Sequence, residues 1–148
     1  MVTHQLLQLI YAAHKELSRI EQEPRDYGTG RLFYASEIHT LVCIGENPYL
    51  NLTTLAEKLE VSKSAASKFV KKLIAAACIE KTKSPDNAKD VLFHASLIGK
   101  RAIQGHKAFE EMMFGPLQAI ESRLSLAEAE LVSSFLTELN DELMKNQS

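Results

Sequence analysis

Residues 61–83 hold the side chains best suited to binding chemistry, namely serine hydroxyls and lysine ammonium groups. Six of these residues are lysine and only Glu80 is acidic, which gives the segment a net charge of +5. Because the whole chain carries −2, the remainder carries −7. Ammonium groups attract phosphate, and hydroxyls hydrogen-bond to phosphates and base edges. One basic patch on an otherwise acidic chain is typical of a protein that contacts nucleic acid through that patch.

A helix over 62–76 is predicted to position this patch, with Ser62 as its N-cap. Apolar residues recur at helical spacing and are expected to face the core: Ala66, Phe69, Val70, Leu73 and Ile74. The remaining face has short side chains, which allow close approach to base edges in a major groove, and lysines, which reach phosphates. The candidate DNA-binding residues of this helix are Ser62, Lys63, Ser64, Ala65, Ser67, Lys68, Lys71 and Lys72.

The flanking sequence predicts a helix-turn-helix followed by a wing. Thr54 and Glu57 have the spacing of a capping box for a short helix, and Glu60-Val61 then forms a tight turn. After it, residues 79–95 are predicted to form a β-hairpin, because a polar loop with the turn signal Pro85-Asp86-Asn87 precedes a strand-like run. Lysines of this hairpin, Lys81, Lys83 and Lys89, are candidates for phosphate or minor-groove contacts, with a solvated loop as the alternative.

The termini are predicted to be helical, so the fold class is mainly α with a small β-hairpin. A first helix over 3–22 ends at Pro24 and the loop 27–30, and a second runs from the N-cap Ser36 to about Ile44. A third covers 96–119 with a kink or break at Gly115-Pro116, and a capping box of Ser125 and Glu128 begins the last, which runs to about Met144. Apolar stripes on the terminal helices favour a homodimer, although these helices could instead fold back on their own domain.

Segment 52–100 resembles the multiple-antibiotic-resistance regulator (MarR) family of winged helix-turn-helix transcription regulators. The resemblance rests on Leu55-Ala56, Val61-Ser62, Lys72-Leu73, Ile79, Asp86, Lys89 and Ser96-Leu97-Ile98-Gly99. It implies a single domain over 1–148, in which residues 1–30 and 98–148 are dimerisation helices and residues 36–97 are the DNA-binding lobe. It also implies a ligand pocket between the two parts. The chain departs from the family pattern in having Ala77 in place of glycine and Lys89 in place of a wing-tip arginine.

Four residues are candidates for an effector site: Glu21, His39, His106 and Glu110. His106 and Glu110 share a helix face because they are four residues apart, and imidazole and carboxylate groups are suitable zinc ligands. The chain is similar to a zinc-responsive branch of the family in having histidines at 39 and 106. A small organic effector, no effector, and ordinary hydrogen-bonded histidines are the alternatives.

The sequence therefore predicts a sequence-specific regulator that binds duplex DNA as a homodimeric repressor on a pseudo-palindromic operator. A helical protein–protein interaction module is the alternative. No nucleophile elbow, phosphate-binding loop or zincin motif occurs, so an enzyme is not expected. Two distant cysteines, Cys43 and Cys78, and the lack of a long apolar run predict a cytoplasmic protein with no membrane partner.

Overall fold

The structure, a computed structural model, describes residues 3–146 and is mostly helical with two small antiparallel sheets. Its helices are α1 Thr3–Gln22, α2 Ala35–Glu46, α3 Leu52–Leu59, α4 Lys63–Ala75, α5 Leu97–Glu121 and α6 Leu126–Lys145. Its strands are β1 Arg25–Asp26, β2 Leu32–Phe33, β3 Leu50–Asn51, β4 Ile79–Lys83 and β5 Val91–Ala95. The chain divides into two compact units, Met1–Lys107 and Ala108–Ser148, with the boundary inside α5.

The core of the first unit lies where α2, α3 and α4 pack together and against the sheet β3-β5-β4. Its largest fully buried apolar side chains are Phe33, Ile38, Leu41, Ile44, Leu55 and Leu73. In the sheet, β4 and β5 pair in antiparallel register from Ile79 opposite Ala95 to Lys83 opposite Val91. The predicted helix-turn-helix and wing are therefore confirmed as one winged helix-turn-helix fold.

The start of α3 differs from the prediction. Asn51 is the N-cap, and its side-chain oxygen accepts a hydrogen bond from the Thr54 amide at 2.9 Å. The helix begins at Leu52, so Thr54 lies inside the first turn and the predicted Thr54–Glu57 capping box is wrong. The cause is tertiary: Leu50 and Asn51 pair with Phe93 and Leu92 as the third strand of the sheet. The chain therefore leaves the sheet at Asn51, whose side-chain oxygen lies within hydrogen-bonding distance of the first turn of α3.

Replacement of Asn51 by alanine is expected to lower the free energy of unfolding by about 1 kcal/mol, because the Thr54 amide loses its acceptor. Thr54→Ala is the matched control and should cost less than about half that amount, since its hydroxyl caps nothing. Urea denaturation of both variants checks this. A larger loss for Thr54→Ala than for Asn51→Ala would restore the capping box that the sequence predicted.

Helix α2 begins one residue earlier than predicted and ends later. Tyr34 is its N-cap, with extended backbone and no side-chain cap, so the assignment of this role to Ser36 is wrong. The Tyr34 carbonyl accepts hydrogen bonds from the amides of Glu37 and Ile38 at 3.0 and 3.1 Å. Tyr34 directly follows β2, and this strand therefore determines where the helix begins. Gly45 does not stop the helix, which continues to Glu46.

Helix α5 continues through Gly115 and Pro116, so a break at this point is wrong, whereas a kink there stays a prediction. A proline inside a helix removes one main-chain hydrogen bond, but its fixed φ is compatible with helical backbone. Here a long helical segment precedes Pro116, and a further turn follows it before Glu121. We attribute the continuity to this cooperative support on both sides.

The second unit contains the carboxyl-terminal part of α5 and the whole of α6. The capping box of α6 is confirmed: the Ser125 hydroxyl accepts from the Glu128 amide, and the Glu128 carboxylate accepts from the Ser125 amide. These hydrogen bonds hold the pKa of Glu128 below its usual value. Many large apolar side chains of this unit are exposed: Met112, Phe114, Leu117, Ile120, Leu124, Leu126, Leu131, Val132, Phe135, Leu136, Leu143 and Met144.

Among the described residues, no helix is both long enough and apolar enough to cross a membrane.

Candidate nucleic-acid interface

Helix α4 presents the basic face that the sequence predicts. The Ser62 hydroxyl accepts from the Ala65 amide at 3.1 Å, which confirms Ser62 as the N-cap. Ala66, Val70 and Leu73 are buried on the core side. On the other side the lysines at 63, 68, 71 and 72 are exposed, as are Ser62 and Ser64, whereas Ala65 and Ser67 are half-buried. Helix α4 contains no acidic residue, and its lysines take part in none of the ion pairs found between described residues.

A groove of about 430 Å³ separates α4 from the wing. Four lysines line it, two from α4 (Lys63 and Lys71) and two from the wing (Lys81 and Lys89). Asp90 is the acidic residue in the lining. Helix and wing therefore contribute ammonium groups to one concave surface, where they are placed to attract a polyanion.

Two groove residues, Asn51 and Thr53, are absent from the predicted site. They line the groove because α3 begins at Leu52 and brings its first turn to this surface. Sequence reasoning missed them because it placed the start of α3 at Thr54. The signal that would have found them is the Asn51 side chain as N-cap, immediately before a Leu-Thr-Thr-Leu run.

The wing is a regular hairpin with an exposed tip. The Ser84 amide donates to the Asp90 carbonyl at 2.9 Å, and the Asn87 side chain accepts from the Lys89 amide at 3.1 Å. Lys83 and Lys89 are both exposed, but only Lys89 lies in the groove lining. Of the three predicted wing lysines, Lys81 and Lys89 therefore line the groove, and Lys83 lies outside this lining.

The end of α4 is anchored at a buried junction. Ala77 has a left-handed backbone with φ of 57°, and Cys78, which begins the path into the wing, is 1% exposed. Burial raises the pKa of the Cys78 thiol, and the neighbouring Arg31 guanidinium opposes this increase. Arg31 Nη2 also donates to the buried Glu37 carboxylate at 2.6 Å. This ion pair ties the segment before α2 to the first turn of α2, and the same guanidinium interacts with Cys78 at the junction between α4 and the wing.

The predicted effector residues are brought together only in part. The rings of His39 and His106 lie edge to face with centroids 5.8 Å apart. The rings of Tyr27 and His106 are also edge to face, with centroids 5.3 Å apart. His106 is buried and His39 is exposed, while Glu21 and Glu110 are both exposed. Over the part of the chain that the structure describes, no group of three or more His, Cys, Asp or Glu is arranged to hold a metal.

The sequence profile of the MarR family matches residues 33–91, which run from the end of β2 to the start of β5. The matched residues include the helix-turn-helix and most of the wing, so the winged helix of this chain is similar to that of the MarR family. Two relatives from Bacillus subtilis (strain 168) are named as HTH-type transcriptional regulators. The uncharacterized regulator YhjH is 32% identical over 96 residues, covering 65% of this chain and 53% of YhjH. PchR is 27% identical over 113 residues, covering 76% of this chain and 67% of PchR. The chain thus matches about half the length of the first of these relatives.

Solved MarR-family structures share the fold along nearly the whole chain. Lactococcus lactis ZitR, described as a zinc-responsive MarR family member, superposes with a TM-score of 0.78 at 20% identity, covering 97% of this chain and 99% of ZitR. Streptococcus pneumoniae FabT, solved in complex with DNA, gives a TM-score of 0.74 at 20% identity, covering 98% of this chain and 99% of FabT. At this identity the likeness establishes the MarR fold.

Proposed function

We propose that the chain is a transcription regulator that binds duplex DNA sequence-specifically through α4 and the wing. The observation that carries the proposal is the basic, acid-free face of α4, which shares a lysine-lined groove with the wing. Members of the MarR family are transcription regulators and not enzymes. The solved complex of FabT with DNA supports the same role for this winged helix. The N-terminus of α4 would enter the major groove while surrounding lysines contact phosphates.

We propose further that the regulator is a homodimer, with residues 1–30 and 98–148 as dimerisation helices and 36–97 as the DNA-binding lobe. Support comes from the apolar side chains that each unit leaves exposed, such as Leu9 at 61% in α1 and Leu131 at 72% in α6. A two-fold dimer would place its two α4 helices in successive major grooves, about 10 base pairs apart on a pseudo-palindromic operator. Binding across a promoter would make the protein a repressor.

The dimer proposal is tested by sedimentation of the full chain. Wild type is expected to sediment as a dimer, and Leu131→Glu is expected to shift it toward monomer because a charge would be desolvated at the interface. Ser133→Glu is the control, because it adds the same charge at another exposed residue of α6. A wild-type monomer at micromolar concentration would exclude this arrangement.

Salt dependence tests the DNA-binding proposal. If each protomer places about four lysines on phosphates, the logarithm of the binding constant should fall with the logarithm of salt concentration with a slope of about −7. Affinity would then drop about 10⁴-fold between 50 and 200 mM salt. Fluorescence anisotropy with the DNA upstream of the protein's own gene measures this slope. Absence of any binding to this or random duplex would favour the protein–protein interaction module instead.

Regulation by a small organic effector or by zinc is also proposed. Zinc is supported by the adjacent rings of His39 and His106 and by the zinc-responsive relative ZitR, although two imidazoles supply only half of a usual ligand set. If zinc acts here, it should change DNA affinity, and His106→Ala should remove the change. Equal affinity in zinc and in chelator would exclude zinc and leave the organic effector.

A further inference from the structure

The side chains that α4 offers to base edges are unusually limited. The amino-terminal residues of a recognition helix are the ones that contact bases. In this part of α4 the exposed residues are Lys63, Ser64 and Lys68, whereas Ala65 and Ser67 are half-buried and partly accessible. The whole helix, Lys63–Ala75, contains no Arg, Asn, Gln, Asp or Glu. It therefore lacks the side chains that pair bidentately with adenine or accept from cytosine, and lysine is the side chain it offers to guanine.

Ala65 is held in a defined place on this surface. Its amide donates to the Ser62 hydroxyl, which fixes the first turn of α4, and its side chain remains partly accessible. A methyl group at this position is complementary to the C5-methyl of thymine, which projects into the major groove. Ser64 can add a hydrogen bond to any base, and Lys68 can donate to guanine O6 and N7 without the fixed fork of arginine.

The wing does not supply the missing readout. Residues 79–95 contain lysines but no arginine, and arginine is the side chain that best recognises a narrow minor groove. The lysines at 63, 71, 81 and 89 surround a groove, where they act on the phosphate backbone and carry no direct sequence information.

We propose that Ala65 reads one thymine in each half-site of the operator, through contact of its methyl group with the thymine C5-methyl. The proposal rests on the DNA-binding function proposed above. Each thymine that Ala65 contacts would bury about one methyl group, and this burial corresponds to roughly fourfold in affinity. In a dimer, loss of the methyl in both half-sites should weaken binding roughly 15-fold.

The test replaces individual thymines by deoxyuridine, which removes only the methyl group. Operators are first selected from a randomised duplex pool with the full-length protein, and the Kd is then measured for each substituted duplex. Wild type is expected to lose about fourfold per half-site at the read thymine.

Variants assign the effect to Ala65. Ala65→Gly should weaken binding to the thymine operator and lose its response to deoxyuridine. Ala75→Gly is the matched control: it is exposed near the carboxyl end of α4, carries a similar helix cost, and should keep the response.

Two results would overturn the proposal while leaving DNA binding intact. One is selected binding that responds to deoxyuridine at no thymine position. The other is a deoxyuridine response that persists in Ala65→Gly. Failure to bind any duplex, random or selected, would instead remove the proposed function itself.

Discussion

The double substitution Lys68→Glu and Lys72→Glu is expected to abolish specific duplex binding, with a loss of affinity above about 10³-fold. Each change removes a cation and adds an anion on the face that approaches the phosphates, and a dimer carries four such changes. The fold should persist, because both lysines are exposed and belong to none of the ion pairs between described residues. Anisotropy titration with the upstream fragment at about 100 mM salt measures the effect.

Lys15→Glu with Lys107→Glu is the matched control for this double substitution. Both residues are exposed, one on α1 and one on α5, and the pair changes net charge by the same amount. The control should weaken binding less than about tenfold, since only the general field changes. If the α4 variant binds as tightly as this control, α4 is not the helix that reads DNA.

Replacement of Gly99 by alanine is expected to lower the free energy of unfolding by about 3 kcal/mol, at the upper end for overpacking. A Cβ at this position would overlap the carbonyl oxygen of Cys78 and lie 3.2 Å from Leu41 Cδ1. The carbonyl cannot easily move, because it accepts from the Ser96 amide at 3.0 Å. The Cys78 amide donates in turn to the Leu73 carbonyl at 2.9 Å. Thermal and urea unfolding of the variant measure the loss.

Gly115→Ala, on the same helix, is expected to raise the free energy of unfolding. A Cβ at Gly115 meets nothing within 4 Å among the described residues, so alanine should stabilise α5 by up to about 1 kcal/mol through its helix propensity. Equal stability of the two variants would mean that the close contact at Gly99 relaxes at little cost.

Local signals in the sequence were sufficient for the elements that carry the proposed interface. Ser62 and Ser125 cap their helices as predicted, because an N-cap depends on side chains within one turn. The wing was predictable because a polar turn separates two residue runs of strand-like content. The lysine face of α4 followed from the apolar stripe on its other side.

Features set by distant pairing were not predictable in the same way. Strands β1, β2 and β3 have two residues each, too few to give a period-2 pattern, and their partners determine them. They decide where α2 and α3 begin, so Ser36 and Thr54 were assigned as caps incorrectly. The groove residues Asn51 and Thr53 were missed for the same reason. Histidine ring contacts depend on how helices cross, so the spacing of His39 and His106 alone could not place a metal site.

The charge distribution of the two units has a kinetic consequence. The second unit carries eight acidic residues and two basic ones, whereas the lysines of α4 and the wing belong to the first. The basic face of α4 and the wing would speed the encounter with a DNA duplex, because its field draws the phosphate backbone toward that face. Productive collisions would then be a larger share of all encounters. Once in contact, the lysines could exchange phosphates along the backbone, so that the protein slides to its operator before the serine and alanine side chains of α4 test the bases.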